Sequence, residues 1–433
     1  MLKHFLFLVL YVALYSFAGG VAMNVALIAH CSMIVYTTFK DRKSINPIVF
    51  YSICVAAITL SNILLIFEVN NNNISLYYYI IPAHIDQATL IWCIGNAFIF
   101  IGFDLMKNKS LPPVDVEIKS ERALKNIFYL ILVICLRHFV ISDSILGSFS
   151  KIFNITSSIG ILFFARIWGK TGAKQYRNYT LILFVLQTIS AFLFSFLRLE
   201  LISPSICLFI GYQVGKNDIR SLFSYRIIPY LIGLVIFSQV FVFFGQNRSQ
   251  FDAGLDRIDQ LTSASIATDQ VSDKGGVTDR MANLAQITNV VELVDKKGFY
   301  DGRASEPLLL ALIPRVLWPE KPTIALGAWF AVEIGQGMKT DTWYNNSINM
   351  TIQGNLFLDF GWIGLCIGCM FAGMLLALLW NSTRFHNSIY NITGILFGGY
   401  LLVICLTGLG ADLQILITFI FYYCAFFIIK KIA

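Results

Sequence analysis

Three arginines stand where solvation alone does not account for a charge. Arg198 lies between two apolar runs joined by almost nothing (Phe194-Ser195-Phe196-Leu197-Arg198-Leu199-Glu200), which puts it near membrane depth, where an unpaired charge costs at least about 2.5–3.5 kcal/mol. Arg280 opens an amphipathic stretch in the long hydrophilic segment, and Arg315 sits in the stretch from Ser305 to Pro322. Three of the chain's ten prolines fall between Pro314 and Pro322. Each fixes φ and removes a backbone donor, so Arg315, Trp318, Glu320 and Lys321 are framed in a stiff loop. Guanidinium groups held this way suit an anionic substrate, because the planar fork binds phosphate oxygens bidentately, needs no metal and stays charged at any relevant pH. The plainer alternatives are that Arg198 snorkels or pairs with Glu200, and that Arg280 is solvated beside Asp279.

Proton transfer at such a site would fall to an outer carboxylate, with Glu306, Glu320 and Asp341 as the candidates. His84 and His138 are the outer or near-outer histidines, and the pair Arg137-His138 reads as glue between helices. Tyr344, Asn345, Asn346 and Asn349 could hydrogen-bond hydroxyls of a substrate or simply be solvated, and Lys321 is a further candidate for substrate contact. Trp318, Trp329 and Trp343 would stack on flat substrate faces or anchor the chain at the membrane interface. No Gly-rich phosphate loop, Asp-x-Asp motif or His-rich cluster occurs in the outer segments, so no cofactor and no metal is expected.

These residues must be positioned by a membrane bundle. With 57% hydrophobic and 13% charged residues, against roughly 25% charged in a soluble domain, the composition is that of an all-α polytopic membrane protein. Apolar runs of bilayer length fall near 3–19, 21–39, 47–67, 87–106, 124–141, 149–167, 178–197, 199–215, 228–245, 355–380, 389–409 and 411–429, about twelve transmembrane helices. The first is read as a retained span, since no small-x-small cleavage site follows it. All nine cysteines lie in apolar runs, so no disulfide framework or thiolate metal site is indicated. The net charge of +7 hints at anionic partners, but the basic residues gather at one set of span ends and suggest no nucleic acid.

Lys3, Lys40, Arg42, Lys107, Arg122, Arg166, Lys170, Lys216 and Arg384 fall on one side if the N-terminus is inside, while the short connections of the other side carry almost no Lys or Arg. The positive-inside rule then puts both termini in the cytoplasm. The organisation is 1–245 as spans one to nine, 246–354 as one large outer loop, and 355–433 as spans ten to twelve. A loop that long is functional or disordered rather than a connector. Within it Leu284, Ile287, Val290, Val291 and Val294 recur at helical spacing, with Thr278 or Asp279 as N-cap and Gly298 as the stop. A second short helix should start near Ser305 and break before Pro314. Gly364-x-x-x-Gly368, in the span expected from Asn355, offers a close-packing face to a neighbouring helix. An outer site in a bacterial-style envelope has no nucleotide supply, which argues against ATP and nucleotide-sugar chemistry.

Leu312-Ile313-Pro314-Arg315-Val316-Leu317-Trp318-Pro319-Glu320-Lys321-Pro322, followed by Gly354-Asn355-Leu356-Phe357-Leu358-Asp359-Phe360-Gly361-Trp362-Ile363-Gly364, resembles the oligosaccharide repeat-unit polymerases, the Wzy-type O-antigen polymerases. Arg198 after a short outer turn and the helix begun by Arg280 are similar to the same family in order and spacing. The chain departs from it at Phe196-Leu197, where relatives often carry Gly-Ser, and at Asn355, where they often carry Glu. The resemblance implies a GT-C-like helical fold in the bacterial inner membrane with the large loop periplasmic. It further implies transfer of a growing glycan from undecaprenyl diphosphate to another lipid-linked repeat unit, with Arg198, Arg280 and Arg315 on the diphosphate. A chain-length regulator and a flippase are partners implied in the same way.

Two other functions fit less of the sequence. An O-antigen ligase, which moves the finished glycan onto a lipid A core, shares the overall layout. A flippase or other transporter of lipid-linked oligosaccharide predicts internal repeats and ionisable residues near mid-membrane, and neither is evident in the sequence.

Overall fold

The structure, a computed structural model, describes residues 2–40, 47–71, 80–107, 121–136, 148–192, 198–216, 283–306, 318, 326–338 and 348–385. Among them every regular element is helical. In chain order they are α1 (Leu2–Phe17), α2 (Gly19–Lys40), α3 (Pro47–Asn70), a 3₁₀ turn (Pro82–His84), α4 (Ile85–Met106), α5 (Glu121–Leu136), α6 (Ser148–Thr171), α7 (Lys174–Ser190), α8 (Arg198–Lys216), α9 (Leu284–Lys297), α10 (Leu326–Glu333) and α11 (Thr351–Phe385). Four segments, Gly19–Thr38, Ile48–Asn70, Pro82–Met106 and Thr351–Leu378, are long and apolar enough to cross a membrane, and Leu2–Phe17 and Leu124–Leu136 are shorter apolar helices. The expected spans near 228–245, 389–409 and 411–429 lie outside the described residues.

The helices form two compact units, one built from α1–α4 and α9–α11, the other from α5–α8. The first is centred on α4. Sixteen of its 22 residues are buried, among them Ile91, Trp92, Ala97 and Phe103. Burial all round is what a helix apolar on every side requires. Its closest neighbour is α11. A Cβ on Gly102 would meet the Met370 carbonyl oxygen at 2.0 Å, and one on Gly373 would meet that of Ile99 at 2.0 Å. The backbones therefore touch at a reciprocal glycine crossing, the way helices gain contact where the surrounding lipid is as apolar as they are. Polar bonds tie α4 to α3 as well, with Trp92 Nε1 donating to Thr59 Oγ1 at 3.1 Å and Tyr51 Oη to Asn96 Oδ1 at 2.6 Å.

The continuous span expected from Asn355 is corrected by the structure. At Gly361 the backbone takes φ 61°, ψ −150°, a region open only to glycine. It divides α11 into a short arm, 351–360, and a long arm, 362–385. An added Cβ on Gly368 would meet Leu356 Cδ1 at 2.6 Å, and one on Gly364 would meet the Leu356 carbonyl oxygen at 3.0 Å. In an unbroken helix the first pair would be about 18 Å apart. The Gly364-x-x-x-Gly368 face thus receives the chain's own preceding arm.

In the second unit α6 and α8 cross by the same means, Gly211 against the Leu162 carbonyl and Gly215 against that of Arg166. Phe128 of α5 stacks on Tyr179 of α7 with ring centroids 4.1 Å apart.

Gly102→Val drives a branched side chain into the Met370 carbonyl. The expected loss is at the upper end of the roughly 1–3 kcal/mol of overpacking, or beyond it. It should be read as a lowered unfolding midpoint of the detergent-purified protein, whereas Leu105→Val on an exposed face of the same helix should change stability by less than about 0.5 kcal/mol.

Candidate active site at the loop helix

The amphipathic period read from Leu284 onward forms α9. Leu284, Ile287, Val290, Val291 and Leu293 are buried, and α9 packs against α4, the 3₁₀ turn and the short arm of α11. Gly298 ends it as expected, with φ 76° and its N–H donating to the Val294 carbonyl at 2.7 Å. The start differs from expectation. Asn283, not Thr278 or Asp279, stands at the cap, and its side chain makes no capping bond. A partner from another helix replaces the local cap: Asn62 Oδ1 of α3 accepts the Leu284 N–H at 3.2 Å. Thr288 Oγ1 accepts the Ile81 N–H at 3.3 Å, so the loop helix is tied to the chain entering α4.

At that seam His84 meets α9. Its Nε2 lies 2.7 Å from Glu292 Oε2, and its Nδ1 is 3.8 Å from Asp295 Oδ2, beyond hydrogen-bond reach. Lys296 Nζ lies 2.5 Å from Glu292 Oε1, one helical turn on. Lys296 and then His84 hold the Glu292 carboxyl below its ordinary range. Glu292 is thus ionised at neutral pH and accepts from Nε2–H, the tautomer that makes Nδ1 the basic atom of the ring. The His84 side chain is 16% exposed and that of Glu292 28%, so the pair can be reached without being fully hydrated. A carboxylate that fixes a histidine's tautomer and orientation is the arrangement of a general base with its positioning group.

Beyond Gly298 the chain turns back onto the elbow of α11. The N–H groups of Tyr300 and Asp301 donate to the Leu358 and Asp359 carbonyls at 3.0 and 2.9 Å. The buried Asp359 carboxylate accepts from the Ala304 N–H at 3.0 Å and from the Ser305 hydroxyl. An added Cβ on Gly361 would meet the Phe299 ring at 2.9 Å, and one on Gly302 the Phe360 ring at 3.2 Å. Lys297 pairs with Glu333 of α10, and Tyr300 packs edge-on against Trp329 at 5.6 Å. The first residues of the Ser305–Pro322 stretch are therefore pinned to the Gly354–Gly364 stretch.

Of the residues singled out from sequence, Arg198 opens α8 in the second unit. Glu306 is exposed at the end of the turn held by Asp359, Trp318 is half-buried, and Asn349 is exposed just ahead of α11. Arg280, Arg315, Glu320, Lys321, Asp341, Tyr344 and Asn345 lie outside the described residues, as do Arg137 and His138. Sequence reasoning noted His84 but not its partner. The signal available was Glu292, Asp295 and Lys296 on the polar face of a helix that had to dock by the other face. It also missed Asp359, whose acidic side chain in an apolar run was the visible clue.

Asp359→Ala leaves the Ala304 N–H and the Ser305 hydroxyl without their acceptor, at a cost of roughly 1–3 kcal/mol for each group left buried and unpaired. Asp359→Asn keeps one carbonyl oxygen and should cost less. Limited proteolysis within 306–322 together with the unfolding midpoint checks both, the alanine variant being cut faster and melting lower.

No family model, no characterised protein and no solved structure matches this chain.

Proposed function

We propose that the protein is an oligosaccharide repeat-unit polymerase, a glycosyltransferase acting at the periplasmic face of the bacterial inner membrane with undecaprenyl-diphosphate-linked donor and acceptor. The observation that carries this most is the histidine–carboxylate pair His84–Glu292 on a loop helix whose sequence continues from Arg280, four residues before Leu284. The resemblance of 312–322 and 354–364 to that family supplies the substrate class, and the apolar composition supplies the membrane. The full count of about twelve spans, the GT-C-like fold and the cytoplasmic termini belong to the same proposal.

The acceptor hydroxyl oxygen attacks the anomeric carbon of the growing glycan and forms the new glycosidic bond. The bond from that carbon to the diphosphate oxygen breaks, and undecaprenyl diphosphate leaves with the electron pair. The hydroxyl proton passes to His84 Nδ1, while Glu292 stabilises the imidazolium that forms. Arg198, Arg280 and Arg315 neutralise the charge growing on the leaving diphosphate. His84 thus takes the part for which Glu306, Glu320 and Asp341 are the carboxylate candidates. Trp318, Lys321, Tyr344, Asn345 and Asn349 remain proposed contacts for the glycan and its phosphates.

The test is extension of purified lipid-linked repeat units, read as a ladder of products. Wild-type protein should extend with a chelator present. Arg315→Ala and Arg198→Ala should abolish the ladder, and unchanged polymer length and amount in either would remove the arginine assignment. His84→Ala should lower turnover about 10²–10⁴-fold, the usual share of a general base. The His84 to Glu292 contact should persist while pH falls through the ordinary carboxylate range, because a depressed carboxyl keeps its stabilising charge until pH reaches its own lower value. In cells, loss of the gene should leave single repeat units on lipid A core, whereas a core bearing none at all would identify the ligase.

A further inference from the structure

The sequence shows no evident ionisable group near mid-membrane, but the fold of the first unit assembles one. Tyr11 Oη lies 2.8 Å from His30 Nδ1, His30 Nε2 lies 2.7 Å from His4 Nδ1, and His4 Nε2 lies 3.0 Å from Asp104 Oδ2. Three helices, α1, α2 and α4, each supply a member. Tyr11, His30 and His4 are buried, while the Asp104 side chain is 29% exposed and forms the chain's opening to solvent. The seven residues from His4 to Tyr11 carry the chain about 10 Å inward along α1. Phe7 stacks on the His30 ring at 4.2 Å and Phe100 meets its edge at 5.1 Å, so the imidazole is sleeved in aromatic carbon.

Each of the three contacts needs one hydrogen, and the inventory of the four groups supplies that number in one way when Asp104 is ionised and both rings are neutral. The phenol donates to His30 Nδ1, His30 Nε2–H donates to His4 Nδ1, and His4 Nε2–H donates to the carboxylate. All hydrogens then point from Tyr11 towards Asp104. A proton entering past Asp104 comes to rest on His4 without breaking the chain, imidazole being a stronger base than carboxylate. His4 Nε2–H still donates to the carboxylate, while His4 Nδ1–H now donates to His30 Nε2 and His30 Nδ1–H to the Tyr11 oxygen. The phenolic hydrogen turns away. One proton from water is taken up, two hydrogen bonds reverse, His4 becomes an imidazolium facing the carboxylate, and the net charge of the four groups goes from −1 to 0.

We propose that Asp104, His4, His30 and Tyr11 are a one-proton relay, loaded from the end of the bundle that carries Lys3 and Lys107. Among the described residues, the other titratable groups facing it are Lys3 on α1, which reaches Thr37 Oγ1 at 3.3 Å, Lys107 just past α4, and the thiols Cys31 of α2 and Cys93 of α4 beside Tyr11. On α3 the nearby phenol of Tyr51 is committed to Asn96. The cations favour the ionised carboxylate at the opening, and the thiols bound the inner end. The relay is separate from His84–Glu292 and does not depend on the proposed activity.

The experiment is ¹⁵N-histidine magnetic resonance of the full-length protein in nanodiscs, from about pH 8 to about pH 5, the range in which histidine-linked protons move. His4 should gain a second N–H while His30 moves its hydrogen from Nε2 to Nδ1, together and with one midpoint. Asp104→Asn should abolish both changes, including that at His30, which does not touch residue 104. Rings that titrate separately, that each become doubly protonated, or that keep their tautomer in the wild-type protein across the range would overturn the relay and leave a static brace. If Asp104→Asn does not fold, His4→Phe keeps a ring in place and breaks the chain. His30 must then hold one tautomer throughout, and continued exchange there would also overturn it.

Discussion

The contact between the backbones of α4 and the long arm of α11 sets the geometry on which the rest of the first unit depends. Gly102 and Gly373 bring each helix against a carbonyl of the other, an approach that no side chain larger than hydrogen permits. Once the two are locked, the elbow at Gly361 has a fixed position, because the short arm can fold back only along the face left by Gly364 and Gly368. The turn that leads into the proline-framed stretch follows from the elbow. Phe299 rests on Gly361, Phe360 rests on Gly302, and Asp359 takes the Ala304 and Ser305 donors. A chain of close approaches thus runs from the middle of the bundle to the start of the proline-framed stretch.

The loop helix is held by the same logic of partners supplied from elsewhere. Its apolar face had to be buried, and α4 with the short arm of α11 offers the surface. Its first free N–H had to be satisfied, and Asn62 satisfies it from another helix. These two requirements leave the polar face bearing Glu292, Asp295 and Lys296 turned towards His84. The base proposed for glycosyl transfer would need orientation more than intrinsic strength, and the docking of α9 supplies that to His84.

Legibility in the sequence varied with the range of the interaction concerned. The helical period of 284–294 and the stop at Gly298 depend on residues within a turn or two, and both were readable. The cap was not, because Thr278 and Asp279 look like local caps while the donor at Leu284 is satisfied over 200 positions away by Asn62. Gly364-x-x-x-Gly368 was readable as a packing face, but the partner was not, since hydropathy runs smoothly through Gly361 and conceals a break made by one backbone torsion. His4 and His30 each look isolated in an apolar run, and only the alignment of α1, α2 and α4 puts them with Tyr11 and Asp104.

The sequence by itself determined that the described residues are helical and apolar enough for a membrane, and that the long hydrophilic segment carries an amphipathic helix; it offered Arg198, Arg280 and Arg315 as candidate charges. Those properties are sums over neighbouring residues, so composition and period suffice to read them. The tertiary structure alone decided that His84 faces Glu292, that Asp359 clamps Ser305, and that two histidines join into one hydrogen-bonded chain. Each of these is a pairing between residues whose separation along the chain says nothing of their separation in space, and it exists only because glycine contacts between helices fix where the helices cross.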